Sequence, residues 1–280
     1  MERIARRHTG SYPITFSVTD ADGAPVTVTS PAIDILDGAG VSVFGTAPAV
    51  TPTEGLLSTS VPIADLEHLD SYKAIWSGSV GDEEQEWHSY FELVGDNVFH
   101  IEDLREFDTS FADEEAYPDA ALQAARTWAE QRFEEAAHVA FVPRGKRAVV
   151  MGTGTDTVFL PTVACRSLVS VSVNGTALDT SSLVLWESGK LVNPSLWTAS
   201  ARIDVHYEHG YTVAPEPVKR AVLLLAKEAL AESALSSRAI SESTDAGFIR
   251  LSIAAPGGRI GIPEVDAVAA DFGRKPVWIG

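Results

Sequence analysis

The 280-residue sequence is poor in cysteine and in positive charge. Cys165 is its only cysteine, so the chain can form neither an intrachain disulfide nor a thiolate metal site, and we expect a small buried residue there. Its 21 lysines and arginines stand against 39 aspartates and glutamates, which gives a formal net charge of −18. Because phosphate binding needs a basic surface, this balance argues against a protein that grips nucleic acid.

Long hydrophobic runs are also missing. The longest apolar run inside a helical pattern is Ala221 to Ala226, whereas a membrane span requires roughly 20 residues. The first seven residues are charged like the start of a secretory signal, but polar residues 8–11 occupy the place of its apolar region. We therefore expect no membrane span and no Sec export. The hydrophobic share of 45% is typical of a folded protein.

The usual signatures of catalysis, cofactor binding and metal binding are absent or weak. There is no Gly-Xaa-Ser-Xaa-Gly elbow. The segment Gly152 to Asp156 resembles a phosphate loop but lacks the Gly-Lys-Ser/Thr ending, and it lies between two strand patterns. His206 and His209 lie on a predicted strand at a spacing that sends them to opposite faces. We therefore predict no catalytic residue, no cofactor and no metal.

The first third of the chain has the alternating pattern of β-strands. From Tyr12 to Val94, about seven short strands are separated by turn residues, which is typical of an immunoglobulin-like domain. The stretch Leu66 to Ala74 resembles the tyrosine corner of such folds, with Tyr72 as the corner and Ala74 where a second cysteine would stand. We predict that 1–96 is an immunoglobulin-like β-sandwich. Four alternating aromatic residues are expected in its core: Tyr72, Trp76, Trp87 and Phe91.

After residue 96 the pattern changes to helices that bracket strands. A short helical pattern precedes a long one that opens at Pro118, and strands with hairpin turns then run from 148 to 207. Pro215 precedes a second long helical pattern at 218–236. We predict that 97–255 is an α+β domain with two long helices and a strand-rich middle. Residues 256–280 are expected to be an extended C-terminal tail that packs on its own chain or on a neighbour.

One segment carries a family resemblance. The sequence Val205-His-Tyr207-Glu-His-Gly210-Tyr211 runs into Pro215-Glu-Pro217 and the last long helical pattern. This order resembles the head-tail connector (adaptor) proteins of long-tailed bacteriophages, in which a strand with a similar ending leads through a proline into the last helix. The tail residues 261–266 and 272–277 are similar to the ends of adaptors from phages of actinobacteria. The resemblance covers about 97–280, and the first domain is similar to immunoglobulin-like modules of phage structural proteins.

The resemblance implies a structural virion protein without enzymatic activity. Adaptors form a closed ring of about twelve copies beneath the portal, extend the DNA channel and join the capsid to the tail. The implied partners are the portal, other copies of the chain, and a neck or tail-terminator protein below. DNA would pass through without specific binding, no membrane would be contacted, and the neck would assemble in the host cytoplasm. From the resemblance we expect the portal or ring contacts to be made by Arg259, Ile260, Ile262, Pro263, Arg274, Lys275 and Trp278.

Two other functions stay open at this point. The chain could be a tail, baseplate or receptor-binding component in which the β-sandwich recognises a target. It could also be a cell-wall hydrolase with a sandwich binding module, although the missing catalytic signatures disfavour this. An adaptor lies between portal and tail tube, whereas a receptor-binding protein lies at the distal end, so location separates the structural alternatives.

Overall fold

A computed structural model describes residues 1–6, 10–231, 241–244, 247–250 and 260–274. The chain divides into two compact units. The strand unit comprises Met1–Asp96 and Pro143–Gly210, and the helical unit comprises Asn97–Val142 and Tyr211–Gly280. The predicted domain boundary after residue 96 is also a boundary between the units. However, the strand-rich middle belongs with the N-terminal strands and not with the helices, which differs from the predicted domains.

Fifteen strands of two to twelve residues lie in the described part of the strand unit. They are β1 Glu2–Ala5, β2 Ser11–Ser17, β3 Thr29–Leu36, β4 Ala47–Pro48, β5 Val50–Thr53, β6 Leu56–Pro62, β7 Ser71–Val80, β8 Glu83–Val94, β9 Arg144–Met151, β10 Thr157–Phe159, β11 Cys165–Val173, β12 Thr176–Leu178, β13 Val184–Leu185, β14 Lys190–Val192 and β15 Arg202–His209.

These strands form three sheets. The largest has nine strands in the order β12-β11-β15-β9-β8-β7-β3-β4, with β1 added parallel to β8. A second sheet has the order β2-β6-β5, and a third has the order β10-β14-β13. Strands β8 and β9 are hydrogen-bonded neighbours at the register pair Val94↔Arg144. Through this pair the sheet continues from the N-terminal strands into those after residue 143.

Strand β7 shows why the alternating pattern produces this sheet. Tyr72, Ala74 and Trp76 are at most 2% exposed, and they point to one face because successive side chains of a strand alternate. A two-residue turn then leads into β8, with Val80 opposite Glu83. Gly81 in this turn has φ +62°, a conformation that glycine adopts without steric cost.

The buried faces of the nine-stranded sheet and of the β2-β6-β5 sheet contribute to one hydrophobic cluster. Ile14 and Leu57 from the smaller sheet join Ile33, Trp76 and Phe91 from the larger one. Three of the four predicted core aromatics, Tyr72, Trp76 and Phe91, are buried, and Trp87 is partly buried against the cluster. The hydroxyl of Tyr72 donates a hydrogen bond of 2.6 Å to the carbonyl of His68, which is the backbone contact of the predicted tyrosine corner.

A second hydrophobic cluster lies under the strands that follow residue 143. It is formed by the large buried residues Trp197 and Tyr207 together with Val158, Leu191 and Ile203. Cys165 is also buried here, as predicted, and burial raises the pKa of its thiol. The strands after residue 143 therefore have a hydrophobic core of their own, although they continue the N-terminal sheet.

The helical unit contains four described α-helices. They are α1 Ile101–Phe107, α2 Asp119–Ala137, α3 Glu216–Leu230 and α4 Pro263–Phe272, accompanied by the hairpin β16 Ser241–Thr244 and β17 Gly247–Arg250. Helix α2 begins directly after Pro118 and α3 directly after Pro215, because proline lacks an N–H that the first turn would leave unbonded. Leu122, Ala129 and Phe133 are fully buried along one side of α2.

Two buried carboxylates of α2 bind the chain on either side of it. Glu130 accepts a hydrogen bond of 2.8 Å from the backbone N–H of Val98, and Glu134 accepts one of 2.8 Å from that of Phe141. Burial of a carboxylate is costly unless hydrogen bonds compensate, and these bonds do so.

Together, the strands and helices make a strand-rich mixed α+β fold. Within the described ranges, no helix is long and apolar enough to cross a membrane.

Replacement of Tyr72 by phenylalanine tests the tyrosine corner. The substitution leaves the His68 carbonyl without its donor, and we expect the free energy of unfolding to fall by about 1 to 2 kcal/mol in urea titrations. Tyr90→Phe is the matched control, because Tyr90 is 58% exposed and its loss of a hydroxyl should change stability little. Equal stability of the two variants would contradict a structural role for the corner.

Candidate functional site

Four of the seven predicted contact residues are described, and they lie in the helical unit at the two ends of α4. Ile260 and Ile262 are half-buried before the helix, and Pro263 is exposed at its first turn. Arg274 is exposed beyond its C-terminus. A ten-residue helix is about 15 Å long, so the structure holds these two groups apart instead of joining them into one patch. Arg259, Lys275 and Trp278 lie outside the described residues.

Helix α4 is fixed to its own unit, so the prediction of an extended tail is wrong for 263–272. Val265 is fully buried and Ala269 is 5% exposed. At the start of the helix, the Asp266 carboxylate accepts hydrogen bonds from the backbone N–H groups of Ile260 (2.7 Å) and Gly261 (3.1 Å). At its end, the N–H of Arg274 donates to the carbonyl of Ala137 (2.8 Å).

The sequence predicted that the tail packs on its own chain or on a neighbour, and α4 packs on its own chain. A ten-residue helix buries only one narrow face, and two small side chains are enough to occupy it. Gly273 also allows a close backbone approach, since a Cβ atom there would lie 2.9 Å from the carbonyl oxygen of Ala137. Such a contact is invisible in hydropathy, so the sequence left open whether the tail packs on its own chain or on a neighbour.

An open cavity of about 600 Å³ lies in the strand unit, on the face of β9, β15, β11 and β12 that points away from the second hydrophobic cluster. The strand register explains its lining. His206 is opposite Arg147, Asp204 is opposite Val149, and directly opposed residues of antiparallel strands share a face. The loop residues Gly38 and Ala39 complete the cavity on one side.

A charged cluster forms one wall of this cavity. The Arg147 guanidinium donates from Nε to Asp70 Oδ2 and from Nη2 to Asp37 Oδ2, both at 2.8 Å. Asp70 is 4% exposed, and it also accepts the backbone N–H groups of Gly38 (3.2 Å) and Ser71 (2.9 Å). The cluster therefore fixes the 37–40 loop against β7 and β9.

The two histidines of β15 lie on opposite faces, as predicted. His206 Nε2 donates to the carbonyl of Leu69 at 3.4 Å and lies 3.8 Å from Asp70 Oδ2. Burial and the Arg147 guanidinium lower the pKa of His206, although the Asp70 carboxylate opposes this. His209 packs beside Tyr207 on the other face. Its burial, with Arg144 and Lys146 nearby, lowers its pKa to about 4.

The two arginines that line the cavity are paired with aspartates. Arg147 is neutralised by two aspartates, and Arg202 forms an ion pair of 2.7 Å with Asp204. Because both guanidinium groups are already paired, the cavity offers little net attraction to an anion such as a nucleic-acid phosphate. Among the residues whose placement is described, no three His, Cys, Asp or Glu side chains meet in a group that could hold a metal ion.

A third candidate surface is the outer face of the β10-β14-β13 sheet, which we call the aromatic face. The register places Phe159 opposite Lys190, and Val192 lies opposite both Thr157 and Val184. The backbone N–H of Trp186 donates to the carbonyl of Lys190 and continues the pairing. The inner face of the same sheet carries Val158, Leu185 and Leu191. The aromatic face therefore comprises Thr157, Phe159, Val184, Trp186, Lys190 and Val192.

Sequence reasoning missed both the charged cluster and the aromatic face. The sequence Glu187-Ser-Gly-Lys190 is typical of a hairpin turn, and from it the pairing of Trp186 with Lys190 could have been found. Strand β10 joins this hairpin from a distant part of the sequence, so Phe159 could not have been placed beside it. The same holds for Arg147, whose aspartate partners are 77 and 110 residues away.

Replacement of Asp266 by alanine tests how α4 is held. The N–H groups of Ile260 and Gly261 would lose their acceptor, and we expect faster hydrogen exchange at 260–272. Asp271→Ala is the control, because this exposed aspartate of the same helix should leave the exchange unchanged. Indistinguishable exchange in the two variants would show that Asp266 does not hold the helix.

The lowered pKa of His209 predicts a specific dependence of stability on pH. The unfolded chain binds a proton at this residue near pH 6.5, whereas the folded chain binds it only near pH 4. The free energy of unfolding should therefore fall between pH 6.5 and pH 4, with up to about 3 kcal/mol attributable to His209. In urea titrations across this range, His209→Gln should flatten the slope, whereas His88→Gln, at an exposed histidine, should keep it. Parallel slopes would contradict the assignment.

The comparisons with known proteins add no family to this description. No protein-family model matches the chain, and no curated protein sequence matches it. A functional assignment consequently has to rest on the residues and contacts of the chain itself.

Proposed function

We propose that the chain is a structural virion protein, a head-to-tail adaptor of a long-tailed bacteriophage. In this proposal about twelve copies form a ring beneath the portal, extend the DNA channel and join the capsid to the tail. The protein has no catalytic role, and it works through contacts with its own copies, with the portal and with the protein below it in the neck.

The observation that carries the proposal is the path of the chain around Tyr207 to Tyr211. Strand β15 ends with Tyr207 buried and its hydroxyl 2.7 Å from that of Thr162, inside the strand unit. The chain then passes into the helical unit, where Tyr211 stacks on Phe141 with ring centroids 5.4 Å apart. Pro215 then starts α3. Strand, tyrosine-glycine-tyrosine ending, proline and long helix thus follow in the order of the adaptor family.

The organisation of the helical unit is consistent with this order. Helices α2 and α3 belong to one compact unit although strands β9 to β15 separate them in sequence. Lys219 of α3 binds Asp103 of α1 at 2.8 Å, and Lys227 binds Asp108 at 2.8 Å. These contacts give α3 a fixed place in the unit, as the last long helix of an adaptor would need.

The N-terminal strands form, in this proposal, an immunoglobulin-like sandwich that decorates the connector. Two sheets share one hydrophobic cluster, and Tyr72 makes the backbone hydrogen bond of a tyrosine corner. The inter-sheet disulfide of antibody domains is missing, since Ala74 occupies the position of its second cysteine. Burial of large side chains such as Trp76 provides the stability that the disulfide would otherwise supply.

The negative charge of the chain determines how a ring of its copies would interact with DNA. Each copy in the ring carries a formal charge of −18. Acidic side chains that face the lumen would repel the phosphates of DNA. The paired state of Arg147 and Arg202 removes two sites at which phosphate could otherwise be held. DNA would therefore slide past such a wall and would not adhere to it.

Portal contact is proposed for the predicted residues of the C-terminal segment, with one refinement. Truncation after Pro256 would remove α4 and expose the surface that Val265 and Ala269 cover, so it would damage the fold as well as the contact. The segment 275–280, which contains Lys275 and Trp278, follows Arg274, whose N–H donates to the carbonyl of Ala137. Its removal leaves all residues of α4 in the chain.

Deletion of 275–280 should lower copurification with the portal protein of the same phage by at least tenfold and leave the thermal unfolding midpoint unchanged. The physical reason is the loss of Trp278, a residue type enriched at the energetic centres of interfaces, together with the charge of Lys275. Arg166→Ala and Trp128→Ser remove an exposed cation and an exposed tryptophan elsewhere, and they should bind the portal normally. Undiminished binding of the deletion variant would reject the contact, and failure of the full chain to bind a portal would reject the adaptor function.

A further inference from the structure

The aromatic face presents large apolar side chains to solvent. Phe159 is 68% exposed, Trp186 is 56% exposed and Val184 is 49% exposed. All three lie on one face of a small sheet whose other face is packed into the second hydrophobic cluster. Turning the sheet over to bury them would expose the residues of that cluster. Contiguous exposed aromatic and aliphatic groups of this kind mark interaction sites.

The single charge of the aromatic face indicates what it fits. Lys190 lies in the central strand, between Phe159 on one side and Trp186 on the other. It is the only charged residue of the six that define the face. An occupant must therefore provide apolar surface for the two rings and a carboxylate for the ammonium group between them. This chain has 39 acidic against 21 basic residues, and exposed carboxylates such as those of Glu83, Glu84 and Glu86 are available on its surface.

We propose that the aromatic face binds a different, acidic surface of a second copy of this chain. The contact is heterologous, which means that each copy offers the aromatic face to one neighbour and the acidic surface to the other. Heterologous contacts close into rings when the rotation permits it. The inference rests on the proposed adaptor ring and deepens it by naming one of the two surfaces that join the copies.

A two-fold contact of the aromatic face with itself is disfavoured by the same charge. With Lys190 at the centre of the face, such a contact would bring two ammonium groups together in a largely apolar environment, and like charges there are destabilising. The face is also small, because three neighbouring strands span only about 10 Å. It therefore serves as the energetic centre of a larger contact, as clusters of aromatic residues commonly do.

Sedimentation velocity on the full chain, without portal, tests the inference. The wild-type protein should associate reversibly beyond a dimer as its concentration rises from micromolar to millimolar. Trp186→Ser should weaken the association at least tenfold, whereas Trp128→Ser, at a tryptophan of α2 that is 48% exposed, should not. Lys190→Glu should weaken it as strongly, whereas Arg166→Glu, which changes the net charge by the same amount at an exposed site of β11, should have little effect.

A mixture separates the two kinds of contact. If the face bound itself, equal amounts of wild-type and Lys190→Glu protein would associate more strongly than either alone, because lysine would meet glutamate. In the heterologous contact the mixture associates no more strongly than the wild type. A wild-type protein that stays monomeric at millimolar concentration, variants that associate like the wild type, or a strengthened mixture would each overturn the inference.

These outcomes are distinct from a failure of the adaptor function. A chain that binds the portal but does not associate through the aromatic face keeps the proposed function and loses this inference. A chain that associates as expected but binds no portal keeps the surface and loses the adaptor assignment. Circular dichroism of each variant shows that it is folded, so that loss of association is not loss of structure.

Discussion

Two arginines of β9 hold the later strands to the N-terminal strands. Arg144 donates to both carboxylate oxygens of Glu92, at 2.6 and 2.9 Å, and Arg147 binds Asp70 and Asp37. Glu92 is only 2% exposed, and a buried carboxylate without its partners would cost several kcal/mol. Gly145 lies between the arginines. A Cβ atom there would overlap the carbonyl of Leu69, so the backbones can approach only because this residue is glycine.

This attachment determines which surfaces the strand unit offers. With β9 fixed beside β8, the face of β9 and β15 that carries Ile203 and Val205 covers the second hydrophobic cluster, and the opposite face lines the cavity. The β10-β14-β13 sheet closes that cluster with its inner side and leaves the aromatic face exposed. These exposed apolar residues are the ones that the proposed adaptor ring would use for contacts between copies.

Local patterns allowed much of the fold to be predicted, and long-range pairing accounts for most of what was missed. Three predicted features depend on residues close in sequence: the alternation in β7, the start of α2 after Pro118, and the buried Tyr72 with its hydrogen bond to His68. Strand β8 pairs with β9 at Val94 and Arg144, which are separated in sequence by a helical segment. The periodicity of the sequence does not indicate such a pairing. The docking of α4 depends on two small buried side chains and on Asp266, which hydropathy underestimates. For the candidate site, the family resemblance indicated which tail residues could contact the portal. It did not indicate that α4 lies between the residues around Ile260 and those around Arg274.

We propose that this chain forms a ring between the portal and the tail of a phage. Cryo-electron microscopy of the neck of a phage particle that contains the chain tests this proposal most directly. We expect a closed ring beneath the portal in which the helical units and strand units of this chain fit the density, with N-terminal lobes outside and each aromatic face against the next copy. Density for the chain at the tail tip, or none in the neck, would contradict the account and make the N-terminal strands a recognition domain instead.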